Sequence, residues 1–196
     1  MIYKFKKYIP VIHPSSFIHP LASVTGNVTI GKNVFVGSGA ALRGDIGEII
    51  IEDGCNIQEN CIIHMFPGAT VHLKKGSHIG HGAIVHGAQI GENVLIGMSS
   101  VIMDNVEIGD NCIIGALSLI TEGNKIPERK VVVGNPAKII KEVSDEMLKW
   151  KTEGTKIYEQ LTADCLTSMK EVKPLKKGGK RTKQASSYKT WKNTKK

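Results

Sequence analysis

The chain has 196 residues, is rich in glycine (21) and poor in aromatics (5 %), and contains no run of 18 apolar residues, which excludes a membrane-spanning helix. The N-terminal stretch has lysines but too short an apolar segment for a signal peptide, so a cytoplasmic address is expected. The formal net charge of +8 misleads, because nine Lys or Arg and no acid lie in residues 174–196, leaving −1 for everything before them.

From the N-terminus onward, aliphatic residues recur every sixth position. Ile12, Ile18, Val24, Ile30, Val36 and Leu42 form the first run, followed by Ile51, Ile57 and Ile63, then by Leu73, Ile79 and Val85. From Ile90 the period is unbroken through Ile96, Ile102, Ile108, Ile114, Ile120, Ile126 and Val132. Period six fits neither a helix nor an alternating strand. It fits a coil of three short strands per turn, each turning one aliphatic side chain inward, with glycine or asparagine at the corners. The fourth residue after each aliphatic is small and also inward, and Cys55, Cys61 and Cys112 fall on that column. They are therefore expected to be free, buried thiols rather than disulfides or metal ligands. Three register breaks interrupt the pattern: three extra residues between Leu42 and Ile51, four around Phe66-Pro67-Gly68, and one deletion before Ile90.

After Val132, Gly134-Asn135-Pro136-Ala137-Lys138 closes the coils. Ser144 followed by Asp145 and Glu146 predicts a helix N-cap. Met147, Leu148, Trp150, Ile157, Tyr158, Leu161 and Cys165 predict the apolar face of a helix, with Gly154 as a weak point. The expected organisation is a parallel β-helix over residues 1–140, a helical extension over 141–173 and a basic, disordered tail over 174–196. The tail reads as solvated chain rather than a nucleic-acid arm, since the body has no basic patch interleaved with aromatics.

Chemistry concentrates on three of the seven histidines. One coil is eighteen residues, and His64 and His86 are separated by eighteen plus the four-residue insertion, so they stack on consecutive coils about 4.8 Å apart. Arg43 occupies the same column one coil earlier, with Asp45 beside it. His81 lies on the adjacent face next to Gln58 and Glu59, too far round to meet His64 and His86 of its own chain. Zinc–nitrogen bonds of about 2.0–2.1 Å demand tight convergence, so a metal site needs His81 from a second copy. A head-to-tail contact of that kind closes into a ring, most simply a homotrimer. His13, His19, His72 and His78 lack such company and read as ordinary.

The motifs LRGD (Leu42–Asp45), NIQE (Asn56–Glu59), the His64 position and GHGAIVHG (Gly80–Gly87) resemble the γ-class carbonic anhydrases, within the hexapeptide-repeat proteins. Over residues 8–175 the chain is most similar to the carnitine-operon and phenylacetic-acid-degradation accessory proteins. The resemblance implies an all-β, left-handed parallel β-helix with a C-terminal α-helix, assembled as a homotrimer. It implies His64, His81 and His86 as ligands of Zn2+ (Fe2+ or Co2+ being possible), an Arg43–acid ion pair across the interface, and Gln58 hydrogen-bonding metal-bound water. Arg43, Asp45, Gln58 and Glu59 are thus the expected catalytic residues, and hydration of CO2 to bicarbonate the expected reaction. The chain departs from that family where an acidic proton-shuttle loop should be: Phe66–Gly76 has Lys74 and Lys75 and no acid, Ile46 follows Asp45, and Glu59 stands for the usual aspartate. Two other functions compete: acyl-CoA chemistry, as acyltransferase or thioester hydrolase, and a non-catalytic trimeric accessory role in a CoA-linked pathway.

Overall fold

The computed structural model describes residues 1–178 and 188–191. Seven coils stack into a left-handed parallel β-helix of triangular section, closed by a helix. On one face, the seven strands beginning at Phe17, Phe35, Asn56, His78, Leu95, Ile113 and Lys130 pair in parallel, each with its neighbour a coil away. The period-six aliphatics fill the interior: Ile57, Ile63, Ile79, Val85, Ile96 and Ile114 are all fully buried. Corners are turned by asparagines in the left-handed region, among them Asn33, Asn60, Asn93, Asn105 and Asn111 at φ 54–60°, a conformation this short polar side chain tolerates. Corner glycines answer a different need. A Cβ on Gly97 would lie 2.4 Å from the Ala116 backbone nitrogen one coil on, so only a hydrogen fits.

The three cysteines of the repeat are buried and unpaired, as expected. Burial pushes the Cys55 thiol up to about 12 and Cys61 to about 11, which leaves them protonated and unreactive. The last parallel strand, Lys130–Gly134, is covered by an antiparallel strand, Ala137–Glu142, so the stack does not end on a bare edge.

Helix α1 (Asp145–Ser168) starts where Ser144 predicts, the Ser144 hydroxyl accepting from the Met147 N–H. Its docking face keeps Met147 and Tyr158 of the expected apolar set, with Tyr158 5.6 Å from the Phe35 ring, but differs elsewhere. The buried residues are Met147, Lys151, Gly154, Thr155 and Thr162, while Ile157 and Leu161 are exposed. The reason lies on the sheet below, which presents polar His78 and Asn56 to the helix and so selects hydrogen-bonding partners. Thr155 Oγ1 is 3.0 Å from His78 Nε2. Lys151 is 2 % exposed and donates to Gly76 O, Asn93 Oδ1 and Thr155 Oγ1. Of the expected disordered tail, residues 174–178 and 188–191 are described. Tyr188 stacks on Trp150 at 5.9 Å, and Trp150 Nε1 donates to Lys189 O; Gly154 is the notch beneath the Tyr188 hydroxyl. Residues 179–187 and 192–196 of that expectation lie outside the described residues. Among the described residues no helix is long and apolar enough to cross a membrane.

Burial depresses the Lys151 ammonium from 10.5 to about 7. Folded protein then binds fewer protons than unfolded chain between those values, so stability rises with pH across that window. Cys55, held up at about 12, opposes this only above 9, and burial with the Lys151 charge keeps His78 well below 6.5 and neutral. From pH 7 to 9, we expect the wild type to gain on the order of 1 kcal/mol per pH unit relative to Lys151→Met, measured by urea unfolding. Parallel stability curves would refute the assignment.

Candidate functional site

The stacked histidines are where the repeat places them. Strands Ile62–His64 and Ile84–His86 pair in register, His64 opposite His86. Their rings are 5.2 Å apart, and His64 Nδ1 is 3.2 Å from His86 Nε2. Arg43, a coil earlier, reaches both its own Asp45 (Nη1–Oδ2 2.7 Å) and His64 Nδ1 (Nη2, 3.3 Å).

Each histidine has one ring nitrogen held by a carboxylate. Asp45 Oδ1 is 3.1 Å from His64 Nε2, Asp104 Oδ1 is 2.7 Å from His86 Nδ1, and Glu59 Oε2 is 2.6 Å from His81 Nδ1. For Asp45, burial acts to raise the carboxyl, but the hydrogen bonds from His64 and Arg43 prevail and hold it below its ordinary range. A carboxylate only accepts, so each bonded ring nitrogen carries the proton and the other presents a lone pair. Asp104 was not picked out from the sequence. The signal was available: it lies eighteen residues, one coil, beyond His86.

Two lone pairs facing one another at 3.2 Å repel unless a proton or a metal ion sits between them. Two nitrogens bound to one tetrahedral zinc at about 2.05 Å are about 3.3 Å apart, so His64 and His86 fit two positions of such a site. Carboxylates on the outer nitrogens are the arrangement that fixes a histidine ligand's tautomer and raises its basicity. The Arg43 guanidinium faces the same His64 nitrogen, and a metal there would require it to remain on Asp45 alone.

His81 does not join them. It sits at a corner, half exposed, with its ring on Glu59 and its N–H donating to Gln58 Oε1 at 3.2 Å. Gln58 is itself buried and donates to Asn56 Oδ1, so it braces the His81 corner and does not point at the His64–His86 pair. Among the described residues no three His, Cys, Asp or Glu side chains of one chain converge on a single ion. The face between these two edges carries outward Ile62, Ile84, Val101 and Leu119, flanked by exposed Met98 and Leu117.

Matches to known proteins fit this architecture. The bacterial transferase hexapeptide model (six repeats) matches residues 9–44 and 87–122, and the hexapeptide repeat of succinyl-transferase matches 27–65. The carnitine operon protein CaiE of Salmonella agona is 43 % identical over 173 residues, spanning 88 % of this chain and 87 % of that protein. The chain belongs to the hexapeptide-repeat family, close to the carnitine-operon branch. A Bacillus cereus structure provisionally described as an acetyltransferase is 34 % identical with a TM-score of 0.85, covering 86 % of this chain and 98 % of that one. A hexapeptide transferase family protein from Anaplasma phagocytophilum is 29 % identical with a TM-score of 0.80, covering 83 % and 96 %.

If His64 and His86 hold a zinc ion and Asp104 fixes the His86 lone pair, Asp104→Asn should weaken that binding by about 10- to 100-fold, read by competition with a chromophoric chelator. Unchanged affinity would remove Asp104 from the site.

Proposed function

We propose that this hexapeptide-repeat protein is an acyl-group enzyme acting on acyl-CoA thioesters, at sites shared between neighbouring copies of a homotrimer. The observation that carries this reading is the pair of carboxylate-fixed ring nitrogens, 3.2 Å apart, on a face open to a second copy. The transferase family models and the acetyltransferase and carnitine-operon relatives support acyl chemistry over CO2 hydration. A second copy laid on the apolar face, in a closed ring, is the way to bring a His81 edge against a His64–His86 edge.

His64, His86 and the neighbouring copy's His81 would hold a zinc ion, with iron or cobalt as alternatives. Such an ion supplies Lewis acidity toward a carbonyl and acidifies water. Asp45 and Asp104 keep the lone pairs of His64 and His86 aimed inward. Arg43 offers positive charge where negative charge develops on the thioester oxygen. Glu59 holds the His81 ring and Gln58 its backbone. Phe66, 62 % exposed and edge-on to His86 at 5.2 Å, shields the reacting carbon from bulk water. An acceptor nucleophile, or water, adds to the carbonyl; the carbon–sulfur bond breaks and the acceptor's proton ends on the CoA thiol.

The same nitrogen pair favours a second reading, hydration of CO2, which needs no groove for a large substrate. Protein of known metal content should cleave or transfer thioesters, and both His64→Ala and His81→Ala should abolish the activity. Mixing the two inactive variants through unfolding and refolding should restore about a quarter of the wild-type rate, since random assembly makes one interface in about four intact. Metal-replete protein that hydrates CO2 yet leaves thioesters untouched would establish the second reading instead; no recovery on mixing would refute the shared site. Ile84→Glu should also yield monomers by light scattering, and a trimer that persists would place the interface elsewhere.

A further inference from the structure

The two insertions that break the six-residue period bulge outward at Ile46 and Phe66, with Met65 turned into the core. They lie side by side: the Gly68 N–H donates to Ile46 O at 2.8 Å, and a Cβ on Gly47 would strike Ala69 O at 2.4 Å. With the N-terminal arm they wall a groove of about 500 Å³ whose lining includes Lys6, Tyr8, Asp45, Glu48, Pro67 and Thr70. One end opens at Asp45, whose carboxylate holds His64. The other end is cationic. Phe5 and Tyr8 exchange both backbone hydrogen bonds at 3.0 Å, forming a tight turn with Lys6 and Lys7 at its tip and Lys6 at φ 50°. Lys4, Lys6 and Lys7 are all exposed. The first 44 residues contain no Asp or Glu, and Asp45 is neutralised by Arg43, so among the described residues Glu48 is the one acid lining the groove without an ion pair.

We propose that this groove seats the CoA portion of the substrate, with Lys6 and Lys7 engaging its phosphates while the thioester reaches His64 and His86. The proposal rests on the acyl-CoA reading above and gives it a polarity. The phosphate end is bound by the Lys6 and Lys7 ammonium groups, which rest over the Phe5 and Tyr8 rings and are suited to point-charge contacts. The volume lies within the range of small-molecule sites, about 300–1,000 Å³. The acyl end meets exposed Phe66 and Ile46. The register breaks thereby acquire a role: coils of uniform length would leave no wall between the arm and the histidines.

The test compares full acyl-CoA with the N-acetylcysteamine thioester of the same acyl group, which has the reacting bond but no phosphate. In a Lys6→Ala/Lys7→Ala variant, KM for acyl-CoA should rise about tenfold with kcat unchanged, and both constants for the short thioester should stay at wild-type values. Adenosine 3′,5′-bisphosphate should bind wild-type protein in calorimetry and bind the variant at least tenfold more weakly. Equal KM values, or bisphosphate binding that ignores the lysines, would overturn the proposal, as would inorganic phosphate binding as tightly as the bisphosphate. If the wild type turned over neither thioester, the acyl-CoA reading would fall by itself, and bisphosphate binding would still decide the groove.

Discussion

Everything in this molecule depends on the stacking of coils at strand spacing. Parallel pairing fixes neighbouring coils about 4.8 Å apart, and that distance is too short for anything but a hydrogen at corners such as Gly97. It also leaves room inside for only one layer of aliphatic side chains per coil. The core is therefore narrow, which accounts for the scarcity of aromatics and the confinement of Cys55, Cys61 and Cys112 to a column of small residues. The same spacing lines up residues eighteen apart into columns on the outside. Arg43, His64, His86 and Asp104 are brought together by that rule once the two insertions are allowed for.

Because the rule is so simple, much of the fold is legible in the chain. The unbroken run from Ile90 to Val132 specifies the coils, and correcting for the insertions puts His64 opposite His86, as the register confirms. What the period does not specify is what covers the outside. The helix was readable at Ser144, but its docking face was not, because apolar spacing points to Ile157 and Leu161 while the sheet offers His78 and so takes Thr155 and Lys151. Amphipathic patterning assumes an apolar partner surface throughout, and here the apolar contacts of Met147 and Tyr158 flank a polar stretch at His78. Tyr188 and Trp191 were hidden for a related reason: a basic, low-complexity stretch gives no sign that two of its aromatics clasp Trp150.

Within the site, residue types were legible and partnerships only partly so. Asp45 and Glu59 drew notice by sitting next to recognisable motifs, whereas Asp104 is isolated in sequence and gains meaning from its hydrogen bond to His86. Gln58 is likewise defined by its partners, Asn56 and the His81 backbone. The pattern across the three histidines is uniform: an acid on the outer nitrogen and a lone pair on the inner one.

The position of the histidine pair along the stack has a further consequence. A solenoid has contacts only between adjacent repeats, so opening begins at its ends and works inward. His64 follows the third strand of the seven-strand face and His86 the fourth, which puts the pair at the middle of the stack. Fraying of the first coil has one further coil to open before it reaches them, and loss of the closing hairpin at Lys130–Glu142 has two. Amides flanking the pair are therefore expected among the slowest to exchange with solvent, and the geometry of the site among the last features to be lost as the protein comes apart.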